Sequence, residues 1–190
     1  PGFIHVMDPR PYHHSFGESE EARTAANLAY LEEVIMYEGP ENIAAMFIEP
    51  VTGTNGVQPP PKGYLRGLRE LLDAYGILLV CDEVMSGFGR MFAGEHEGIV
   101  PDIMTMAKGL TSAYVPLAAM AVTDEIAAHF RTNTFWGGLT YNSHCVALAA
   151  AEAAIGVLRD EGLVENAARM QEVMRQKMDW LDARHPSFKE

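Results

Sequence analysis

The sequence predicts an α/β fold built on a doubly wound, mostly parallel sheet with helices on both faces. Short apolar runs at 44–48 and 77–81 alternate with segments of helical periodicity, as in successive strand–helix–strand units. The run at 77–81 is apolar at every residue, which is typical of a parallel strand covered on both faces. Leucines at helical spacing lie between the two runs, from Leu65 to Tyr75, where a parallel pair requires a crossover helix.

The first elements are predicted from turn residues and periodicity. Residues 3–7 are predicted to form a short strand, followed by a turn region at 8–18 that contains two prolines and a glycine. Ser19 is predicted to cap a helix that ends at Gly39. The apolar residues predicted to lie along one side of this helix are Ala22, Ala25, Leu28, Ala29, Ile35 and Met36.

Two more strands are predicted after a glycine-rich loop at 86–98. They occupy 102–106 and 117–122, and only residues 107–116 separate them. This connection is too short for a crossover helix, so the sequence predicts one antiparallel hairpin strand on an otherwise parallel sheet.

The remainder of the chain is predicted to be helical. Ser143 is predicted to cap an alanine-rich helix that runs to about Arg159. A second helix at about 163–184 carries an apolar stripe that we interpret as a packing face. The stripe consists of Leu163, Ala167, Met170, Met174, Met178 and Leu181.

Composition excludes several classes of protein. The formal net charge is −12, so the chain lacks the basic surface that nucleic-acid binding requires. Its hydrophobic fraction of 48% is ordinary for a globular protein. The longest apolar run, at about 115–122, is far shorter than the roughly 18 residues of a membrane span. We therefore expect neither a nucleic-acid partner nor a membrane partner.

The cysteines and the chain ends give two further expectations. Cys81 and Cys145 lie among apolar neighbours and form neither a disulfide framework nor a zinc set. The chain begins at Pro1 without a basic leader, so we expect a cytoplasmic protein. Because it lacks an initiator methionine and closes on a run at 185–190 that reads as the start of more protein, we expect a segment of a longer chain.

Polar residues follow three of the predicted strands directly. Glu49 follows the run at 44–48, Asp82 and Glu83 follow the run at 77–81, and Lys108 follows the run at 102–106. Ligands of doubly wound sheets bind outside the carboxyl ends of the strands. These residues are therefore the candidates for chemistry.

Asp82 and Glu83 leave two interpretations open. In the first, they are polar residues that are exposed to solvent at a strand end and have no further role. Alternatively, an acidic pair after a hydrophobic strand holds Mg²⁺ in nucleotide-hydrolysing domains, although the phosphate-cradling G-x-x-x-x-G-K-[ST] loop is absent from this sequence.

Lys108 is either an ordinary surface lysine or a nucleophile. Its neighbours Ala107 and Gly109 are small, and Met104 and Met106 are apolar. A lysine enclosed in a tight apolar turn loses hydration of its ammonium, which favours the free amine that Schiff-base chemistry requires.

A metal site is not expected. His13 and His14 are adjacent in a proline-rich loop, but no cysteine or third histidine stands at ligand spacing.

Four segments, in this order, resemble the class III aminotransferases, which are pyridoxal-phosphate enzymes of fold type I. They are FIEPVTG at 47–53, LVCDEVMSGFGR at 79–90, PDIMTMAKGL at 101–110 and GLTYNSH at 138–144. The resemblance implies pyridoxal 5′-phosphate as cofactor and the large domain of the fold. The segments at 101–110 and 138–144 are most similar to taurine–pyruvate aminotransferases, followed by β-alanine–pyruvate enzymes.

The resemblance also implies a role for each site residue. Lys108 would form the Schiff base with the cofactor aldehyde and then act as the base that moves the substrate proton. Asp82 would pair with the protonated pyridine nitrogen, and Val84 would press against the ring face. Thr140 would reach across a homodimer interface to the partner's cofactor phosphate. Glu49 would lie near the cofactor.

The resemblance sets expectations for domains and activity. Residues 1–158 would be part of the cofactor-binding large domain, and 159–190 a helix leading into a small C-terminal domain. The reaction would be transamination between an ω-amino compound of the taurine or β-alanine type and an oxo acid. Family members that use glutamate-type amino acceptors often carry a glutamate at the position of Thr54. The threonine at this position therefore favours pyruvate as the acceptor.

The segment alone is expected to be inactive, because a phosphate loop, an aromatic ring partner and a substrate-binding arginine are missing from it. A catalytically silent fold type I segment is the remaining alternative.

Overall fold

The computed structural model describes residues 2–10, 15–88 and 92–185. His13 and His14 lie outside these residues. Within the described parts, four strands and five α-helices follow one another along the chain. The strands are Ala45–Ile48 (β1), Leu78–Asp82 (β2), Ile103–Met106 (β3) and Ala119–Val122 (β4). The helices are Glu20–Glu38 (α1), Tyr64–Tyr75 (α2), Asp124–His129 (α3), Cys145–Asp160 (α4) and Leu163–Asp182 (α5).

The strands form one sheet in the order β1-β2-β3-β4. β1, β2 and β3 are parallel, with Phe47 opposite Val80 and Asp82 opposite Thr105. β4 runs antiparallel to β3, with Met120 opposite Thr105. The mostly parallel sheet and its antiparallel last strand are therefore confirmed.

The main core lies between α1, α2 and one face of the sheet. Leu68 and Leu72 of α2 are fully buried there, and Gly76 in the left-handed conformation ends the helix as predicted. Val80 points to the other face of the sheet and is also buried, whereas Leu78 on that face is exposed, so the second face of β2 is covered only in part. The cluster of buried residues comprises Leu31, Ile35, Tyr64, Leu65, Leu68, Leu72, Ile77, Leu79, Cys81 and Ile99.

Helix α1 begins and ends where predicted, but its buried side is different. The Ser19 hydroxyl accepts a hydrogen bond from the Ala22 N–H at 3.1 Å, and Gly39 follows the last turn. Asn27, Leu31 and Ile35 face the core, while Met36 is 57% exposed. The predicted stripe was wrong at Ala22, Ala25, Ala29 and Met36, all of which are exposed.

A close approach of two helices explains this orientation. Leu28 of α1 lies over Gly67 of α2, where a Cβ atom would come within 2.3 Å of the Leu28 side chain. This contact turns the 27–31–35 line towards the sheet. Periodicity alone could not distinguish it from the alanine line, because alanine tolerates either environment.

The prediction of a strand at 3–7 was wrong. These residues have no strand partner, and Phe3 is 85% exposed. Val6 packs against the main core. An apolar run becomes a strand only when a neighbouring strand satisfies its backbone groups, and none of the described strands pairs with this segment.

The start of α4 also differs from the prediction. Its cap is His144, whose Nδ1 accepts from the Ala147 N–H at 3.4 Å. Ser143 has φ +58°, in the left-handed region, whereas an N-cap residue has extended backbone. α4 contacts the Lys108–Thr111 turn and α5.

No residue of α5 is buried, and the predicted stripe on it is present but largely exposed within the described chain. None of the described helices is both long enough and apolar enough to cross a membrane.

Candidate active site

Three candidate residues lie at the carboxyl edge of the sheet. Glu49 follows β1, Asp82 is the last residue of β2, and Lys108 lies two residues beyond β3. The three strands are parallel neighbours, so their ends meet at one edge, with strands about 4.8 Å apart. The fold therefore brings together the residues that the sequence predicted to cooperate.

Met85 connects the three loops that leave these strands. Its Sδ lies 3.6 Å from Lys108 Nζ. Its side chain also fills the space at Gly53, where a Cβ atom would come within 2.7 Å of Met85 Cγ. The Gly53 N–H in turn donates to Glu49 Oε2 at 2.9 Å. Sequence reasoning missed Met85, because a methionine in a glycine-rich loop carries no pattern of its own.

The backbone at Lys108 is strained. Its φ is +44°, in the left-handed region, which costs a non-glycine residue about 1 kcal/mol or more. Gly109 follows at a close approach, since a Cβ atom there would lie 2.8 Å from Phe88 Cβ and 3.0 Å from the Gly87 carbonyl oxygen. Such strain persists only where the surroundings impose it, and here it directs Lys108 towards the loop after β2.

Lys108 is exposed, so of the two environments considered for it the enclosed apolar turn is not the one observed. Met104 and Met106 belong to β3 and are half-buried within the sheet. The one hydrogen bond of the ammonium within the described residues goes to Met85 Sδ. The amine is open to a ligand at this edge.

Among the described residues, one carboxylate oxygen of Asp82 has no hydrogen-bond partner. Oδ1 accepts from the Val84 N–H at 2.9 Å, which fixes the orientation of the carboxylate. No described residue donates to Oδ2. A half-buried carboxylate with an available oxygen, beside a lysine amine, matches the ring nitrogen and the aldehyde of pyridoxal phosphate. Lys108 and Asp82 therefore fit the chemistry of pyridoxal phosphate.

Glu83 takes no part in an open acidic site. It is fully buried, and its carboxylate accepts from the N–H groups of Gly94 at 2.9 Å and Ala93 at 3.0 Å and from the Ser86 hydroxyl. With its oxygens occupied in this way, Glu83 cannot share Mg²⁺ with Asp82. The magnesium interpretation of the acidic pair was therefore wrong.

Beneath this edge, burial raises the pKa of the Cys81 thiol to about 12, and the nearby Glu83 carboxylate adds to the rise. The thiol is therefore protonated at ordinary pH and is not a nucleophile.

The remaining predicted residues lie around the edge or away from it. Val84 is half-buried next to Asp82, and Thr54 is exposed in the loop after Glu49. Thr140 lies on an exposed loop between α3 and α4, and no hydrogen bond joins it to Lys108 or Asp82 in the described part of the chain. The roles given to Val84, Glu49 and Thr140 stay predictions.

Comparison with known proteins supports the resemblance. Residues 1–190 match the family Aminotransferase class-III. A diaminobutyrate–2-oxoglutarate transaminase from Halomonas elongata is 39% identical over 193 residues, covering 96% of this chain and 41% of the relative. A taurine–pyruvate aminotransferase from Bilophila wadsworthia is 35% identical over 201 residues, covering 98% of this chain and 42% of the relative.

A solved structure shows the same fold at high similarity. The taurine:2-oxoglutarate aminotransferase from Bifidobacterium kashiwanohense, crystallised with PLP and glutamate, superimposes with a TM-score of 0.92 at 39% identity. The match covers 97% of this chain and 43% of that structure. The chain thus spans about two fifths of the length of the proteins it matches.

Proposed function

We propose that this chain carries the reactive lysine and the proton-transferring groups of an enzyme that transfers an amino group to an oxo acid. The proposal starts from the fact that the chain belongs to the class III aminotransferases. The observation that carries the proposal is the position of Lys108 and Asp82 at the adjoining ends of two parallel strands. Met85, three residues after Asp82, touches the Lys108 amine. An amine and a carboxylate at adjoining strand ends are the two groups that the aldehyde and the ring nitrogen of pyridoxal phosphate require.

The family depends on pyridoxal 5′-phosphate, which supplies an aldehyde for amines and a cationic ring that withdraws electrons from the substrate carbon. Lys108 Nζ would hold the aldehyde covalently. Once a substrate amine has replaced it, Nζ would be free to accept the proton from the substrate carbon and later to return it. Asp82 Oδ2 would accept from the ring N–H and keep that nitrogen protonated.

The other residues would complete the site from two subunits. Val84 would press on the ring, and Glu49 would lie close to it. Thr140 would donate its hydroxyl to the phosphate bound by the partner subunit of a homodimer. The support for this division is that Thr140 lies on an exposed loop, apart from the edge of the sheet.

For the substrates we propose an ω-amino donor of the taurine or β-alanine type and pyruvate as acceptor. The neutral Thr54 supports pyruvate, because a second carboxylate on the acceptor calls for charged partners in the site. Proteins similar to this chain are named for reactions with both pyruvate and 2-oxoglutarate. Both cysteines are free, which supports a cytoplasmic location.

Covalent labelling of the full-length protein tests the proposal. The protein is loaded with pyridoxal phosphate and reduced with borohydride, and the modified peptide is mapped by mass spectrometry. We expect the label on Lys108. Lys108→Ala should remove both the label and the activity, whereas Lys177→Arg, on the exposed helix α5, should keep both.

Three results would contradict parts of the proposal. A label on Lys62 or Lys177 with Lys108 unmodified would reject the assignment of the lysine. Absence of any label would favour a catalytically silent member of the fold. Faster turnover with 2-oxoglutarate than with pyruvate would reject the proposed acceptor while leaving the site intact.

A further inference from the structure

Glu83 is a buried acid for which the reaction described above has no use. It is fully buried, and its carboxylate accepts three hydrogen bonds. Burying a carboxylate is costly unless hydrogen bonds replace its hydration. These partners all belong to the loop that follows Asp82, so they show what the carboxylate holds in place.

The three hydrogen bonds hold this loop at both of its ends. The Ser86 hydroxyl belongs to the turn at 84–88, directly after Glu83. The N–H groups of Ala93 and Gly94 belong to the 3₁₀ turn at Ala93–Glu97. The backbone of Glu83 adds two bonds, from its N–H to the Thr105 carbonyl at 2.9 Å and from the Gly87 N–H to its own carbonyl at 2.8 Å.

The 84–88 turn held in this way touches both reactive residues. Its first residue, Val84, donates to Asp82 Oδ1 at 2.9 Å. Met85 lies 3.6 Å from Lys108 Nζ. Phe88 and the Gly87 carbonyl lie against Gly109, so closely that a Cβ atom there would be 2.8 Å from Phe88 Cβ. A shift of this turn therefore moves the contacts of Asp82 and of Lys108 together.

We propose that Glu83 is a positioning residue of this site, acting on Asp82 and Lys108 through the 84–88 turn without touching a reacting atom itself. This inference rests on the proposed function. A displacement of about 1 Å in a reacting group can reduce a rate roughly 100-fold, so a residue that sets the turn has a large effect on turnover.

Glu83→Gln in the full-length enzyme is the decisive variant, and Glu97→Gln is its matched control. The Glu97 carboxylate also accepts two backbone N–H groups, from Gly63 at 2.9 Å and Arg66 at 3.2 Å. It belongs to the same loop, but it caps α2 instead of holding the 84–88 turn. Glutamine has the same size as glutamate and replaces one accepting oxygen with a donating NH₂.

For Glu83→Gln we expect kcat to fall roughly 10- to 100-fold with a smaller change in KM. The visible circular dichroism of the bound pyridoxal group should also change. In the cofactor-free protein, amide exchange at Met85–Phe88 should become faster. Glu97→Gln should lower thermal stability while kcat and the visible spectrum stay within about twofold of wild type.

Several outcomes overturn the inference. Wild-type kcat and visible spectrum in a folded Glu83→Gln protein would reduce Glu83 to a structural residue. If that variant does not fold, Ser86→Ala removes one of the three hydrogen bonds and decides: a several-fold loss in kcat with an altered spectrum supports the inference, and unchanged values reject it.

Failure of the proposed function gives a different result. In that case borohydride leaves Lys108 unlabelled in the wild-type protein itself. Even then, comparing amide exchange in the cofactor-free wild-type and Glu83→Gln proteins shows whether Glu83 holds the 84–88 turn.

Discussion

The two halves of this chain bury their side chains very differently. From Asn27 to Thr111, the helices and parallel strands enclose a core that includes all the fully buried leucines. Beyond Thr111, the only buried residues in the described chain are Ala147 and Ala151, both on α4. Even β4, which is hydrogen-bonded to β3, has all four residues exposed.

The difference separates two kinds of site residue. Lys108, Asp82 and Glu49 are placed by contacts within the enclosed half. Thr140 lies in the exposed half, where the described chain provides nothing to position it. The proposed role of Thr140 across a subunit interface would account for this difference. The following measurements test how far the two halves differ.

The largest expected difference is in stability. Leu68→Ala should lower the free energy of unfolding by about 3 kcal/mol, because Leu68 is 0% exposed and a cavity remains. Leu163→Ala, on α5 where Leu163 is 39% exposed, should cost about 0.5 kcal/mol or less in this chain. Urea titration of the 190-residue chain measures both values. A repeat in the full-length protein shows whether α5 becomes covered there, in which case the second value rises towards the first.

Thiol reactivity gives the next largest contrast. Cys145 is exposed, while Cys81 is buried, with its pKa raised to about 12 by desolvation. In the native chain we expect a disulfide reagent to modify Cys145 at least about 100-fold faster than Cys81. Cys81 should react only after unfolding. Equal rates for the two thiols would contradict the enclosed core described for the first half.

Asp82→Asn should reduce kcat of the full-length enzyme by at least about tenfold, equivalent to roughly 1.4 kcal/mol of activation free energy. Asparagine keeps the shape but does not hold the ring nitrogen in its protonated state. A smaller loss of kcat in Asp82→Asn would reject Asp82 as the ring partner.

Thr140→Val should instead weaken cofactor binding, because only a phosphate contact is lost. Unchanged cofactor affinity in Thr140→Val would reject the role across subunits.

The smallest expected effect is on pH dependence. The Lys62 N–H and the Arg10 guanidinium hold the pKa of Glu20 below its ordinary value of 4.5. Its stabilisation is therefore complete above pH 4.5 and is lost as the pH falls through the lower pKa of the folded state. Glu20→Gln should cost about 0.5 kcal/mol at pH 7, since the pair is partly exposed, and nothing at pH 2. Urea titrations at both pH values measure the difference, and an equal cost at both would contradict it.

Strand ends were the part of this molecule that sequence could predict best. Mostly apolar runs bounded by turn residues predicted the four strands, although the run at 3–7 was wrongly predicted in the same way. The short connection between the last two strands predicted their antiparallel pairing. Parallel strands place their carboxyl ends at one edge, so Glu49, Asp82 and Lys108 could be grouped before any coordinates were known.

Details that depend on tertiary contact were out of reach. The buried side of α1 is decided by the contact of Leu28 with Gly67, two residues far apart in sequence. Met85 and Glu83 work through loop geometry that no spacing pattern encodes. The sequence left open whether Lys108 is exposed or enclosed, because the open edge of a sheet is not visible in the neighbours of one residue.

The order of strands in the sheet has a consequence for biosynthesis. β1, β2, β3 and β4 lie side by side in the order in which they are translated. Each newly synthesised strand can therefore pair with the free edge of the strand made just before it. At roughly 5–20 residues per second, several seconds separate the first strand from the last. Among the four described strands, none has to be inserted between two earlier ones. Nascent chains released after β3 should therefore already hold the parallel part of the sheet, before the exposed half of the molecule has been synthesised.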